Sequence, residues 1–365
     1  MAGKYARKKL KDISLSDPFF DSLKKDYPEF ANWYNGKALQ GDEAYTFEDE
    51  FGLCAFLYFK DYESEEIKLT DRIIPPCGRI KIRTLKLDFR HHGRRLGEGA
   101  IGIALWKWQE SPAEQIYLTV YESHTDLINL LTRYGFKCLG TLHKNSADTL
   151  AQKEMVFMKD KKDIDFSTPL TAFPFLKGDF SYAGMLPVND VYHDRMFPYS
   201  ELKNTQQEFW DEAAGNGISK VYVGAPQNVN AFYCGEPVFI YRKYTGAGSK
   251  TYKSCVTSFA TISGIKVIKD SRKELLSFEE FKNACGNKTI FTESELQSFY
   301  RYHDNVVVIE FVYNGFFGKG NNVNHKELND NGLFNTYPYN IHYSRRSFER
   351  ILNMGGKNVQ NIIVN

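Results

Sequence analysis

The chain is poor in cysteine: the six in its 365 residues (Cys54, Cys77, Cys138, Cys234, Cys255 and Cys285) are far apart and never form a C-x-x-C pair. That spacing excludes a disulfide scaffold, and the thiols are read as reduced, in a cytoplasmic protein. Long apolar runs are missing too. AIGIALW from Ala100 and NVVVIEFVY from Asn305 are less than half of the roughly 20 residues that cross a bilayer, and MAGKYARKKLKD lacks the apolar stretch of a secretory leader. No membrane partner is expected. Nor is there an excess of one charge: 47 Lys and Arg against 45 Asp and Glu leave a net +2, so a nucleic-acid partner has to be argued from local clusters. One such cluster, the first 25 residues with seven basic and three acidic side chains, reads as a solvated tail. Internal repeats, low-complexity tracts and a G-K-[ST] are absent, and the glycine-rich run from Gly97 to Gly102 comes mid-domain, after a helix and a hairpin, which excludes repeat, Rossmann and P-loop architectures.

What is present is a globular composition long enough for two domains. The spacing predicts a helix or a pair of helices from an Asp17 N-cap before Pro18 as far as Gly36, then an aromatic hairpin turning near Asp49 to Gly52. RIKIRTLKLDF, from Arg79 to Phe89, alternates as a strand does but slips phase at Thr84 to Leu85, where a bulge would account for the slip. A glycine loop, an apolar helix, the strand QIYLTVYE and the helix HTDLINLLTRY, closed by Gly135, follow. That order implies adjacent parallel strands. A last strand, KEMVFMKD, precedes a segment with Pro169 and Pro174 that loses periodicity. The expected division is residues 1–160, a linker 161–178, and a β-rich domain 179–365 with helices that include a capping box from Thr292 to Glu295.

The loop Arg94, Arg95, Leu96, Gly97, Glu98, Gly99 lies between a strand and a helix. Glycines there let backbone N–H groups converge on an anion at the positive end of the helix dipole. Taken alone, the hexapeptide fits a glycine turn without a ligand better. With its surroundings, the run from Arg79 to Gly140 resembles the GNAT family of acyl-coenzyme A-dependent N-acyltransferases, over residues 15–160. The resemblance implies an α/β fold, a mixed, splayed central sheet with helices, and acetyl-CoA as cosubstrate. It also implies that Arg94, Arg95, Leu96, Gly97, Glu98 and Gly99 cradle the pyrophosphate, while Leu85, Lys86 and Leu87 on the bulged strand bond the pantetheine. The strands Arg79–Asp88 and Gln115–Tyr121 would part to admit the thioester.

Direct attack of an amine on the thioester needs a base and an acid for the thiolate. Where the family often carries a tyrosine acid, this chain has Leu131, and Tyr134 is read either as a substitute acid or as packing under the sheet. His124 is read as a helix cap or a base, and Glu122 as a carboxylate that relays a proton through water, with Asp88, Glu48 and Asp49 as further carboxylates. His91 and His92 are read as facing solvent or phosphate, with no metal site expected.

The second half is similar in pattern to the PUA-like group with ASCH and EVE domains, a C-terminal β-rich barrel. The resemblance implies an RNA or nucleobase partner, with Tyr192, His193, Phe197, Tyr241 and Arg242 as the pocket, though aromatic side chains on alternating strands also build cores. SRRSFER, with Arg345, Arg346 and Arg350, reads as a phosphate contact or a solvated helix. The function expected is acetylation of an RNA-borne amine, on an aminoacyl-tRNA or a nucleobase; the former would make the chain a translation-arresting toxin with a neutralising protein partner. The alternatives are a non-catalytic acyl-CoA sensor and an acetyltransferase for proteins or small amines.

Overall fold

A computed structural model describes residues 4–88, 93–143, 153–203 and 213–364. The chain divides into two units, Met1–Ile164 and Asp165–Asn365. The segment expected as a linker is largely structured. Thr168 caps α5 (Pro169–Ala172), and β10 (Leu176–Lys177) pairs in parallel with β18 (Ile363–Val364), which ties residues 165–178 to the second unit.

In the first unit β1 (Ala6–Lys9), α1 (Asp21–Asp26) and α2 (Phe30–Leu39) precede the hairpin β2 (Glu43–Asp49) and β3 (Gly52–Glu63). Asp17 does cap a turn, accepting the Phe19 N–H at 2.8 Å, and of the two readings of this stretch the pair of helices is the one found, separated at Tyr27 to Glu29. A short hairpin, β4 (Ile67–Lys68) and β5 (Ile73–Ile74), leads into β6 (Arg79–Leu87), α3 (Leu96–Glu110), β7 (Gln115–Tyr121), α4 (Thr125–Arg133), β8 (Lys137–Thr141) and β9 (Glu154–Asp160). The sheet order is β1-β2-β3-β6-β7-β9-β8, antiparallel except for β6 against β7. Phe20, Phe30 and Tyr34 from the helical segments pack on Phe56 and Tyr58 of β3. Helix α3 is apolar on nearly every side and packs on β3, β6 and β7, as a helix of that composition must.

Parallel pairing between β6 and β7 covers only Arg79–Lys81 against Gln115–Tyr117, and beyond it the strands part. The closed end is clamped by the buried Arg79 guanidinium, which donates to Gln115 Oε1 (2.7 Å), the Glu65 carbonyl (2.8 Å) and the Pro75 carbonyl (2.5 Å), while Gln115 donates to Asp160 on β9 (2.5 Å). The bulge falls one residue before the expected position: Tyr58 faces Thr84 and Phe59 faces Ile82, leaving Arg83 as the extra residue.

The second unit adds β11 (Gly184–Asn189), α6 (Asp190–Met196), α7 (Ala213–Asn216), β12 (Ser219–Gly224), β13 (Pro237–Lys243), β14 (Cys255–Asp270), β15 (Lys273–Glu274), α8 (Phe278–Cys285), α9 (Glu293–Tyr302), β16 (Val306–Phe316), β17 (Val323–Asn324), α10 (His325–Asp330) and α11 (Arg345–Met354). Its main sheet runs β11-β13-β14-β16-β12, and three register slips between β14 and β16 bend it. Helix α11 buries Phe348, Ile351 and Leu352, with Phe348 stacked 4.2 Å from Phe239. The residues from Gly184 form a strand within this sheet, parallel to β13. No helix among the described residues is long and apolar enough to cross a membrane.

Candidate active site

Where β6 and β7 part, a groove of about 970 Å³ opens. Its lining comes from the Ser22–Trp33 stretch, from Lys81 to Asp88 of the bulged strand, from Gly93, Arg95, Leu96 and Gly97 of the loop, and from Thr119 to Leu130, with Glu154 added from β9. One end is the start of α3. Gly93 (φ 86°) and Arg95 (φ 59°) take left-handed backbone, no side chain caps the helix, and its hydrogen bonding starts only at the Gly99 N–H, bonded to the Arg95 carbonyl at 3.1 Å. The first-turn amides of such a helix end are donors for an anion.

A first-turn carboxylate would repel that anion, yet Glu98 stands there. Arg95 neutralises it through Nε (2.7 Å) and Nη2 (2.6 Å). The Tyr134 hydroxyl also donates to Glu98. Tyr134 is thereby fully buried, outside the groove lining, and burial followed by the adjacent Glu98 charge pushes its phenol well above the ordinary range. Its hydroxyl joins the end of α4 to the start of α3 instead of facing a thioester. Leu131 is fully buried as well.

Of the expected cosubstrate-binding residues, Leu85, Lys86, Leu87, Arg95, Leu96 and Gly97 line the groove. Arg94, Glu98 and Gly99 do not; the Arg94 guanidinium pairs with Asp49 at 3.0 Å. Gly97 is held by space, since an added Cβ would sit 3.1 Å from Leu87 and 3.2 Å from Leu130. His124 occupies the N-cap position of α4 but makes no capping bond, and its ring lines the groove 6.2 Å from that of Tyr121. Glu122 is exposed and outside the lining. Glu48 bonds Lys8 at 2.6 Å, whereas Asp88 is in the groove wall. His91 and His92 lie outside the described residues.

The structure adds groove residues that the sequence did not single out. Tyr27 stacks on Tyr121 (6.3 Å, 19° between planes), and burial, then its hydrogen bond with Tyr121, raises its phenol above the ordinary value. Lys81, at the point of divergence, has its ammonium 5.2 Å from the Tyr117 ring, and desolvation lowers its pKa against the pull of Glu63. Glu154 faces the same space. Tyr121, Lys81 and Glu154 were visible only as alternating strand residues, and nothing local distinguishes a groove-facing side chain from a core-facing one.

The expected nucleobase pocket in the second unit is rearranged. His193 and Phe197 are fully buried in the core, His193 bonding Thr257 and Asp194 at 2.8 Å each, because α6 packs its inner side on the sheet. Arg242 holds Asp194 through two 2.8 Å bonds and is committed inside the protein. Tyr192 and Tyr241 do line a cavity. The helix carrying Arg345, Arg346 and Arg350 directs Arg345 to Glu349 (2.9 Å) and to the Gly178 carbonyl (2.7 Å), and Arg350 to Asn331.

No family model and no curated protein matches the chain. Among solved structures it is similar to NAA60 of Arabidopsis thaliana in complex with acetyl-CoA, at 17% identity over 44% of this chain and 100% of that one, with a TM-score of 0.33. It is also similar to a GNAT family acetyltransferase from Bacillus cereus, at 14% identity over 43% of this chain and 96% of that one, TM-score 0.27. A third is the NatC complex bound to Gag peptide and CoA, at 15% identity over 43% of this chain and 98% of that one, TM-score 0.28.

Proposed function

We propose that the first unit is an acetyl-CoA-dependent N-acetyltransferase and that the second recognises an RNA-borne acceptor. The observation that carries the catalytic half is the groove between β6 and β7, closed at the Arg79 clamp and ending on the uncapped start of α3. A long anionic thioester fits such a cleft, with its pyrophosphate on the α3 amides and its reactive end where the strands diverge. The residues that would hold it are Leu85, Lys86, Leu87, Leu96 and Gly97.

In the reaction, the neutral amine attacks the thioester carbonyl carbon, the C–S bond breaks, and an amide and free coenzyme A form. The amine proton goes to a base, and the thiolate gains one from an acid. His124 and Glu154 line the groove as proton acceptors, and Tyr27 and Tyr121 as the phenols that reach it. No Cys or Ser nucleophile is required. The acceptor is an amine of an aminoacyl-tRNA or a nucleobase. In the first case acetylation arrests translation, and a neutralising protein partner is expected.

A coenzyme A release assay with acetyl-CoA and, in turn, uncharged tRNA, charged tRNA, proteins and small amines tests this. Release with RNA alone supports the whole proposal. Release only with proteins or small amines removes the RNA-borne acceptor. Tight acetyl-CoA binding without release from any acceptor favours the sensor reading, to which buried Leu131 and the engaged Tyr134 lend support.

A further inference from the structure

The groove between β6 and β7 carries an amine of the protein's own. Lys81 is the last residue of β6 paired with β7, opposite Tyr117, and its side chain lines the groove where the strands part. Its ammonium lies 5.2 Å from the Tyr117 ring and, among the described residues, makes no hydrogen bond and no ion pair. A charge taken partly out of water normally finds a partner, because leaving it without one is costly. The carboxylate on the neighbouring strand, Glu63 of β3, is already engaged: it accepts the Tyr117 hydroxyl and pairs with Lys60 at 3.1 Å. Glu154 on β9 attracts the Lys81 charge, while Arg83 and Lys60 oppose it. Burial outweighs both carboxylates and lowers the Lys81 pKa. More of this amine is therefore neutral than in a solvated lysine, for which the neutral share at pH 7 is about one in a few thousand.

Arg83 and Lys86 face the same groove, and neither offers a free amine. The Arg83 guanidinium stays charged and is no nucleophile. Lys86 lies on the stretch assigned to the pantetheine, where its ammonium donates to the Ser22 hydroxyl and sits 5.3 Å from the Phe19 ring. Lys81 is left as the unengaged amine at the place proposed for the reactive end of the thioester, on a flexible four-carbon stem.

We infer that the chain acetylates itself on Lys81 when acetyl-CoA is bound and no acceptor fills the groove. The inference rests on the acetyl-transfer half of the proposed function. The neutral Nζ attacks the thioester carbonyl carbon, an N–C bond forms and the C–S bond breaks, and one amine proton ends on the coenzyme A sulfur. The products are Nζ-acetylated Lys81 and free coenzyme A. An amide does not hand its acetyl group on to an amine as a thioester does, so the product is a lasting mark and not an intermediate. It removes a positive charge and adds bulk where the strands diverge, and so it closes the groove to a later acceptor.

Incubation of the full chain with acetyl-CoA carrying a deuterated acetyl group, followed by proteolysis and mass spectrometry, tests this. Near-stoichiometric acetylation of Lys81 is expected, at a rate per chain that does not change with protein concentration. Placement beside the thioester should make it at least about tenfold faster than acetylation of Lys86 or of surface lysines, whose chemical modification sets the background. Gly97→Trp, which fills the start of α3, should bring Lys81 down to that background and leave surface lysines as they were. An excess of coenzyme A, which competes for the cleft without donating an acetyl group, should do the same in the native chain. An unmodified Lys81 overturns the inference, as does one modified no faster than surface lysines, at a rate that rises with protein concentration, or unaffected by excess coenzyme A. Acetyl-CoA titration and coenzyme A release with added acceptors, on the same preparation, separate the failures. Binding and release with Lys81 unmodified defeat this inference alone, whereas acetyl-CoA that neither binds nor is consumed defeats the proposed acetyl transfer with it.

Discussion

Glu236 gives the second unit a pH-dependent stability that can be worked out in advance. The residue precedes β13 with its side chain fully buried; Oε2 accepts the Tyr233 N–H at 3.0 Å, while Oε1 has no partner. Burial pushes its carboxyl from 4.5 up to about 7, and the single backbone bond offsets only part of that. The folded state therefore holds a proton that the unfolded state has released, so stability is full below the unfolded value and falls as pH rises through 7. The whole span, about 2.5 pK units at 1.36 kcal/mol each, amounts to about 3 kcal/mol, of which about 2.5 kcal/mol is lost between pH 5 and pH 8. Glu236→Gln removes the titration. Its amide adds a roughly constant cost of about 1–3 kcal/mol for an unbonded N–H, which cancels when each protein is compared with itself across pH. Hydrogen exchange of the β13 amides, corrected for intrinsic rates, reads the opening free energy where the carboxylate acts. The native chain should lose protection between pH 5 and pH 8 by about sixtyfold more than the variant. Equal pH dependence in the two proteins would refute the reasoning.

Other substitutions probe the remaining devices. Tyr134→Phe leaves the buried Glu98 with Arg95 but without its phenol donor, and should destabilise the first unit by about 1–3 kcal/mol in thermal unfolding while retaining coenzyme A release. Loss of release with unchanged stability would instead return Tyr134 to the chemistry. Arg242→Met removes both Arg242 bonds from Asp194, which keeps its bond with His193. Burial alone would raise that carboxyl, but the Arg242 and His193 bonds hold it far below the usual carboxylate range. A loss of about 1–3 kcal/mol is expected at pH 7, read by denaturant unfolding, with the difference shrinking as pH falls through the native carboxyl's pKa. At Gly184, an added Cβ would lie 2.6 Å from Glu236 Oε1 and 3.0 Å from the Phe232 ring, so Gly184→Ala should lower the melting temperature of the second unit. An unchanged melting temperature would show that the Glu236 side chain can move aside.

Several features followed from the sequence because their causes are local. The Asp49 to Gly52 turn, the strand from Arg79, the Gly135 stop after α4 and the Thr292–Glu295 capping box each depend on side chains within a few residues, so the chain alone determined them. The same holds for the anion-competent loop, since glycine and helix start are neighbours. Other features came only with tertiary structure, because they depend on which face of an element is covered. Alternation in β6 could signal a bulge but could not place it at Arg83, which is set by pairing with Tyr58 and Phe59. Strand β8 and the parallel strand β11 are too short or too apolar to show a period that separates them from loop. Tyr134 and Glu98, 36 residues apart, became partners when α4 returned to the start of α3, and His193 and Phe197 became core when α6 folded onto the sheet. Sequence supplies the chemical groups and their local backbone. Whether a tyrosine faces a groove, a carboxylate or the core depends on contacts across tens of residues, which only the packed fold decides.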